Sequence, residues 1–365
     1  MTQTFAQESR SHFKSTLRLF SLLVMVPMLN LGCQVSYVLK NAYYQVKMVN
    51  QQVDLDQALL NPKLTDEEKR KIRLAKEAKD FAEKHVGLKV SRNYTGFIYL
   101  DQDYSSYVVS AAEKWQLKQY IWSYPIVGKM PYRGYFREAD AKEAAADYAK
   151  DGYDVYMRGV SAYSTLGWFR DPIVSSMLRY KDIHLVDTII HETVHTTLYI
   201  KNNADFNERL AVFIGNKGAE QFYLQREGEN SPTLQSLRDE SADDQLFSEF
   251  ISEELTLLEN WYQNLDSSQR NEDLRNDRLK SIQVKFQTKI LPQMKTKSYH
   301  KFHELQLNNA RLLIYRTYMQ DLKDFEQLFQ LLGGDWKKFL EACFDLEKVD
   351  DPVQELKNKI SRFEK

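Results

Sequence analysis

The sequence predicts an α+β protein that is mainly helical. Of its 365 residues 43% are apolar and 28% are charged, the balance of a folded chain that can bury a substantial core. Thirteen glycines and eight prolines are few for this length, which favours long helices over a many-turned all-β fold. Short runs rich in β-branched and aromatic residues occur between Tyr94 and Tyr124. These runs predict one small sheet.

Residues 1–33 have the layout of an export signal. Three basic residues, Arg10, Lys14 and Arg18, precede the apolar run Leu19–Leu31, which is followed by Gly32 and Cys33. The run is short of the roughly 20 residues that a spanning helix needs. The segment resembles a bacterial lipoprotein signal, although Asn30 stands where that pattern usually has leucine. It predicts that Cys33 is lipidated; an uncleaved membrane anchor running on through Leu39 is the alternative.

Helices and strands alternate in the next part of the chain. A first helix is predicted at Val35–Val53, and the capping-box pattern Thr65–Glu68 predicts the start of a second that ends at Gly87. Strands are then predicted at Phe97–Leu100, Tyr104–Ser110, Tyr120–Tyr124 and Tyr153–Val160. The alanine-rich segment Glu138–Lys150 predicts a helix between the last two of these strands.

Helical patterns continue from about Asp182 to the end of the chain, and one of the few breaks is Gly228–Pro232. This break predicts a boundary. We therefore divide the chain into a signal or anchor at 1–33, an α+β catalytic region at 34–230 and a helical C-terminal region at 231–365.

The motif His191-Glu192-Thr193-Val194-His195 carries the chemistry. Two histidines four residues apart on a helix lie on one face, close enough to bind one zinc ion, while the intervening glutamate can reach a water molecule at the metal. Apolar residues on both sides, such as Ile189, Ile190 and Leu198, predict a largely buried helix. Burying two histidines and a carboxylate without a metal is costly, so Zn²⁺ is the predicted cofactor and hydrogen-bonded core histidines are the alternative.

A catalytic zinc usually has a third protein ligand. A third histidine in the metzincin arrangement is excluded, because Leu198 and Lys201 stand three and six residues after His195, where that pattern has glycine and histidine. Three downstream carboxylates are left, Asp205, Glu208 and Glu220. If the metal helix ends near Lys201 and a tight turn follows, the next helix folds back and brings Glu208 nearest to the metal. The alternative for Glu208 is a capping box with Asp205, in which its carboxylate binds the backbone.

These segments together resemble a family of bacterial proteins described as predicted aminopeptidases, zinc-dependent lipoproteins of the HExxH class. The matching residues are 162–172, the HETVH motif, Phe206-Asn207-Glu208, 124–128, 132–136, Gly152-Tyr153-Asp154-Val155 and Asn308-Asn309-Ala310. The resemblance covers most of the mature chain. It implies a zincin-like core, a lipid anchor, His191, His195 and Glu208 as zinc ligands, and Glu192 as the catalytic base.

The expected mechanism is hydrolysis of a peptide bond, in which Glu192 accepts a proton from water and passes it to the leaving amine. A donor for the oxyanion is also needed. Tyr163 is the first candidate because it lies in the matched segment just before the metal helix. Weaker candidates are Tyr315, Tyr318 and His184.

Three further polar residues have two interpretations each. Asp187, one turn before His191, could accept the other ring N–H of that histidine or could be an ordinary acid near a helix N-terminus. Arg133 and Arg170 could bind a substrate carboxylate or could pair with internal acids.

The predicted function is that of a zinc-dependent peptidase acting on peptides at the periplasmic or outer-membrane side of the cell envelope. The resemblance implies an aminopeptidase, while the residues themselves leave exopeptidase and endopeptidase action both open. The alternatives are a zinc-binding envelope lipoprotein without catalytic activity and a helical membrane scaffold. The lack of sustained heptads argues against the scaffold. A formal charge of −1 excludes a global basic field, so nucleic acid is not an expected partner. The sequence carries no signal of an oligomeric state.

Overall fold

The structure, a computed structural model, describes residues 36–89, 91–124, 128–162, 170–318 and 322–363. The chain divides into two compact units with the boundary between Gln51 and Gln52. In the first unit, residues 36–49 form helix α1. Cys33 and the apolar run before it, which carry the prediction of a lipid anchor, lie outside the described residues.

The second unit contains all the other elements, and in the described residues it is mainly helical with short strands. Its first half contains β1 (Val53–Asp54), α2 (Leu55–Leu59), α3 (Asp66–Phe81), β2 (Gly96–Ile98), β3 (Ser106–Ala112), β4 (Trp122–Tyr124), β5 (Gly128–Met130), β6 (Arg133–Tyr135), α4 (Glu138–Lys150), β7 (Asp154–Val160) and β8 (Ile173–Val174). Its second half contains α5 (Asp182–Thr197), α6 (Ala204–Glu227), α7 (Pro232–Gln263), α8 (Glu272–Lys285), α9 (Asn309–Tyr318), α10 (Lys323–Leu331), α11 (Trp336–Asp345) and α12 (Pro352–Phe363). The predicted α+β class is confirmed.

Several helix limits follow the local signals in the sequence. Thr65 and Glu68 form the predicted capping box at the start of α3, and a single π-turn continues that helix to Gly87, which adopts a φ of 84°. Helix α4 has the predicted limits. The first helix, in contrast, ends at residue 49 rather than at Val53, because Val53 pairs with Phe97 as part of β1. Tertiary strand pairing overrides helical propensity there.

The strands form three small sheets in the described part of the chain, not one. Their orders are β1-β2-β8, β6-β3-β7 and β4-β5. The prediction of a single sheet is therefore wrong: β2 pairs with β1 and β8 instead of with its sequence neighbour β3. Alternation along a strand indicates which residues are extended but does not choose the partner strand, and strands this short carry little register information.

A buried polar network joins the second sheet to the C-terminal helices. Asp154, the first residue of β7, accepts hydrogen bonds from the Arg275 guanidinium of α8 and from the backbone N–H of Asn309. Tyr262 of α7 accepts from Arg275 Nε at 3.0 Å and donates to Asn309 Oδ1 at 3.0 Å. The Asn309 amide also donates to the carbonyl of Glu113, which follows β3. One strand and three helices are thus held at one point.

The predicted break at Gly228–Pro232 does separate two helices. Gly228 follows the last residue of α6, and the hydroxyl of Ser231 accepts from the backbone of Thr233 and Leu234 at the start of α7. Helices on both sides of the break belong to the second compact unit. The functional division at residue 230 stays a prediction.

Candidate metal centre

Helix α5 carries both histidines of the motif. Its apolar residues Val186, Ile189, Ile190 and Val194 are almost completely buried. His191 and His195 lie one turn apart on a neighbouring face, as the i, i+4 spacing requires, and their rings approach to 5.0 Å between centroids. His195 is buried and His191 is partly buried. The predicted buried metal helix is therefore present.

The connection between α5 and α6 turns the chain back on itself. Helix α5 ends at Thr197, earlier than the predicted limit near Lys201, because Leu198 is already extended. The buried side chain of Asn207 then binds the backbone of Ile200 twice, accepting from its N–H at 2.9 Å and donating to its carbonyl at 2.8 Å. These bonds fix the loop against the first turns of α6, so that the residue after Asn207 faces α5.

Two glycines let α6 lie very close to α5. A Cβ atom at Gly215 would come within 2.5 Å of Asp187 Oδ1 and 3.3 Å of His191 Cβ. A Cβ atom at Gly218 would come within 3.1 Å of Ile190. Glu208 lies beside His195 near the end of α5, whereas Gly215 lies beside Asp187 nearer its start, so the two helices are antiparallel. This packing brings Glu208, near the start of α6, to the histidines near the end of α5.

The side chains of His191, His195 and Glu208 converge on one point. The two Nε2 atoms are 3.2 Å apart, and Glu208 Oε2 lies 3.5 Å from Nε2 of His191 and 3.6 Å from Nε2 of His195. Ligands bonded to zinc at about 2.0–2.2 Å in a tetrahedron are about 3.3–3.6 Å from one another. The three separations thus match the edges of a zinc tetrahedron, with the fourth corner left for water or substrate. Two imidazole nitrogens and one carboxylate oxygen are also a donor set that zinc accepts.

Of the three carboxylates considered as the third ligand, the structure brings Glu208 to the histidines. Glu220 is elsewhere on α6, where it forms ion pairs with Lys217 and Arg238. Asp205 lies within the first turn of α6, whose N-cap residue is Asn203 and has no side-chain cap bond. The capping-box alternative for Glu208 is therefore wrong, because the helix begins two residues earlier than that box would need.

Close packing of the three side chains shifts the pKa values of Glu208 and His191 in opposite directions. Burial raises the pKa of the Glu208 carboxyl, but the neighbouring His195 and His191 outweigh burial and hold that pKa well below its usual value. Burial lowers the pKa of His191, yet the hydrogen bond to Glu208 and the nearby Glu192 and Asp187 carboxylates raise it to about 9. The cluster therefore holds a carboxylate that attracts a cation, either a proton on the imidazole or a metal ion.

Glu192 lies on α5 directly after His191 and is partly exposed, so it can reach a molecule in the site. Its carboxylate acts electrostatically on His191 and on the hydroxyl of Tyr180. Tyr180 stands two residues before α5, and burial raises its pKa, while a hydrogen bond with Ser161 lowers it. The sequence does not point to Tyr180, since only the fold brings its hydroxyl within electrostatic range of Glu192.

Of the four candidates for the oxyanion donor, the structure describes the side chains of His184 and Tyr315. Tyr163 lies outside the described residues, as does the side chain of Tyr318. His184 faces Glu240 at 3.4 Å, and Tyr315 packs on the rings of Phe247 and Phe302. The prediction that Tyr163 donates to the oxyanion stays a prediction.

The guanidinium of Arg170 has internal partners. It donates to Asp54 Oδ1 at 2.7 Å and to Thr95, which favours the internal-pairing interpretation over a substrate carboxylate. Arg133 lies in β6 with its guanidinium 6.0 Å from the ring centre of Tyr135.

Asp187 is inside α5 rather than in its first turn, so it is not an acid at a helix N-terminus. Its Oδ1 atom is buried without a hydrogen-bond partner, and burial raises its pKa to about 6, although His191 lowers it. Asp187 also borders a cavity of about 690 Å³ between α6, α7 and α10, which Asp244 lines from the other side. The two carboxylates repel each other across a poorly solvated space.

Replacing Asp244 with asparagine should stabilise the protein at pH 8 and change it little at pH 4. Burial raises the pKa of Asp244 to about 6 even though the Tyr299 hydroxyl donates to it at 2.5 Å. Because the folded-state pKa lies above the unfolded value, the native state loses stability as the pH rises from about 4 to beyond 6. The amide has no such cost, so a gain of about 1–3 kcal/mol is expected at pH 8.

Chemical denaturation at both pH values measures this effect. Asp239→Asn on the same helix is the control, since Asp239 forms a surface pair with Lys295 and its side chain is 29% exposed. An Asp244→Asn protein less stable than the wild type at pH 8 contradicts the argument.

A family model described as "Putative aminopeptidase" matches residues 36–358. The chain belongs to this family. The match extends from α1 into α12 and contains the HExxH motif and Glu208, so the family resemblance inferred from short motifs is confirmed. No curated protein and no solved structure matches the chain.

The two hydrogen bonds between the Asn207 side chain and the Ile200 backbone, here called the Asn207 clamp, are expected to support the candidate metal centre. In Asn207→Ala the backbone N–H and carbonyl of Ile200 lose their buried partners, which costs about 1–3 kcal/mol of unfolding free energy. The loosened start of α6 should also weaken zinc binding by Glu208 about 10–100-fold. Asn203→Ala is the matched control, because the Asn203 amide makes only an exposed bond to the Lys201 carbonyl. Equal zinc affinities of the two variants in a chelator competition contradict this role.

Proposed function

We propose that this protein is a zinc-dependent peptidase with a zincin-like core and an aminopeptidase activity. The observation that carries the proposal is the set of three separations, 3.2, 3.5 and 3.6 Å, between the donor atoms of His191, His195 and Glu208. Two of the three separations exceed the usual hydrogen-bond range of about 2.7–3.2 Å, whereas all three are close to the edges of a zinc tetrahedron. Membership of the family supports hydrolysis of peptides as the reaction class.

Each residue of the site has a defined task in this proposal. Zinc, when bound, polarises the scissile carbonyl and lowers the pKa of a water molecule towards 7. Glu192 accepts a proton from a water molecule as the water oxygen attacks the carbonyl carbon, and then returns the proton to the nitrogen of the leaving amine. His191, His195 and Glu208 would hold the metal. Tyr163 remains our candidate donor to the oxyanion that forms on the carbonyl.

The proposal also includes attachment to the cell envelope. The basic residues, the apolar run and Gly32-Cys33 of the sequence support lipidation of Cys33. Within the part of the chain that the structure describes, no helix is long and apolar enough to cross a membrane. A lipid on Cys33 would hold the peptidase at the membrane surface, facing peptides in the envelope.

The test is hydrolysis of a mixed peptide library by the full chain, before and after removal of metal and after return of zinc. Each peptide is supplied with a free and with an acetylated N-terminus. We expect cleavage that is lost with the metal, returns with zinc and releases the N-terminal residue of the free peptides alone. Cleavage of both forms identifies an endopeptidase. Zinc binding without cleavage supports instead a zinc-binding lipoprotein without catalytic activity.

A further inference from the structure

Helix α1 carries an exposed apolar stripe. Val38, Leu39, Tyr43 and Val46 are 46%, 65%, 64% and 50% exposed, and Ala42 between them is exposed as well. At about 100° per residue these five positions fall within an arc of about 140° on one side of the helix. A globular protein seldom leaves such a contiguous set of large apolar side chains in water without a partner.

Two positively charged side chains lie along one edge of this stripe. Lys40 and Lys47 are both exposed and fall next to each other on the helical wheel, just beyond Tyr43. Lysines at the border of an apolar helix face can place their aliphatic stems along apolar surroundings while the ammonium groups reach anionic headgroups. Because of these two lysines, the stripe fits the surface of an anionic bilayer better than it fits an apolar face of another protein.

The position of the stripe in the chain points to the same partner. Only two residues separate Cys33, the proposed site of lipidation, from the first described residue, Ser36. Three residue steps span at most about 11 Å even when fully extended. A lipid on Cys33 would anchor that residue at the headgroup region, which is about 5–8 Å thick on each side of the hydrocarbon core. Helix α1 would then begin within or next to this region.

We propose that α1 lies flat on the membrane, with Val38, Leu39, Ala42, Tyr43 and Val46 inserted into the lipid interface. The proposal rests on the lipid anchor at Cys33 and adds a second attachment to it. The apolar area that the stripe buries in the interface and the attraction of the lysines to anionic lipids both add to the attachment at Cys33. This second attachment also gives the start of the chain a defined orientation at the bilayer surface.

The experiment uses the full chain, reconstituted into vesicles of phosphatidylethanolamine and phosphatidylglycerol. Tyr43→Cys is labelled with an environment-sensitive fluorophore; Cys343 is buried in α11 and does not compete for the label. Leu274→Cys is the matched control, because Leu274 is an apolar residue of α8 that is 44% exposed. We expect nitroxide-labelled lipids to quench the label at 43 several-fold and to leave the label at 274 unchanged.

Three other outcomes overturn the proposal, each in a recognisable way. If the protein floats with the vesicles but both labels respond alike, the anchor is present and α1 does not lie in the interface. If the label at 43 is shielded from a water-soluble quencher yet not quenched by the lipids, a second copy or another part of the chain covers the stripe. If the protein does not float with the vesicles at all, both the anchor and the interfacial helix are wrong, while the peptidase proposal is judged by its own assay.

Discussion

Glu192→Gln is expected to lower kcat/KM for peptide hydrolysis about 10²–10⁴-fold, the usual contribution of a positioned general base. The amide keeps the size of the side chain but cannot accept the proton from water. Glu192 is not among the three residues whose donor atoms converge, so the variant should bind zinc as the wild type does. Loss of activity with retained metal separates a failure of proton transfer from a failure of the site.

The measurement combines steady-state kinetics with the metal content of the same preparation. Glu253→Gln is the matched control: it makes the same change at a side chain that is 62% exposed and pairs with Lys285 of α8. Activity of Glu192→Gln within a few-fold of the wild type contradicts the assignment of the base. Loss of zinc together with activity indicates that Glu192 has a structural task instead.

Arg275→Ala is expected to cost about 3–5 kcal/mol of unfolding free energy, because it leaves the Asp154 carboxylate buried without its cation. The two side chains are only 4% and 6% exposed. Arg275 also donates to Tyr262 and lies over the ring of Trp115, so the truncation opens a gap where β7, α7, α8 and α9 meet. This loss is large compared with the usual stability of a domain.

Denaturant unfolding of Arg275→Ala beside a surface control tests this prediction. Lys323→Ala breaks the exposed pair of Lys323 with Glu249 and should change stability little. A double variant, Asp154→Leu with Arg275→Met, removes both charges and should recover much of the loss. If Arg275→Ala is no more harmful than Lys323→Ala, the network does not hold the C-terminal helices to the sheet.

Local signals allowed much of this structure to be predicted. The capping box at Thr65, the helix at Glu138–Lys150 and the i, i+4 histidines each depend on residues close together in the sequence, and the structure has them all. The sequence alone offers no physical reason for the short motif matches around Asp154 and Asn309. The structure supplies that reason, since the two residues meet in one buried network.

What could not be predicted depends on packing between distant segments. Strand pairing is one case, because β2 takes its partners from Val53–Asp54 and Ile173–Val174. The approach of Glu208 to the histidines was predicted on the condition of a tight turn after α5. What produces that turn could not be predicted: the hydrogen bonds of Asn207 to Ile200 and the close packing at Gly215. The proximity of Tyr180 to Glu192 has no sequence signal at all.

The most direct test of the central claim is the zinc content of the purified full chain, compared with that of His195→Ala. We expect one zinc ion per wild-type chain and none in the variant. His184→Ala, which removes an exposed histidine of the same helix that faces Glu240, should retain one zinc ion. A wild-type chain that binds no zinc after dialysis against it, or a His195→Ala protein that binds as much as the wild type, contradicts the proposed metal centre.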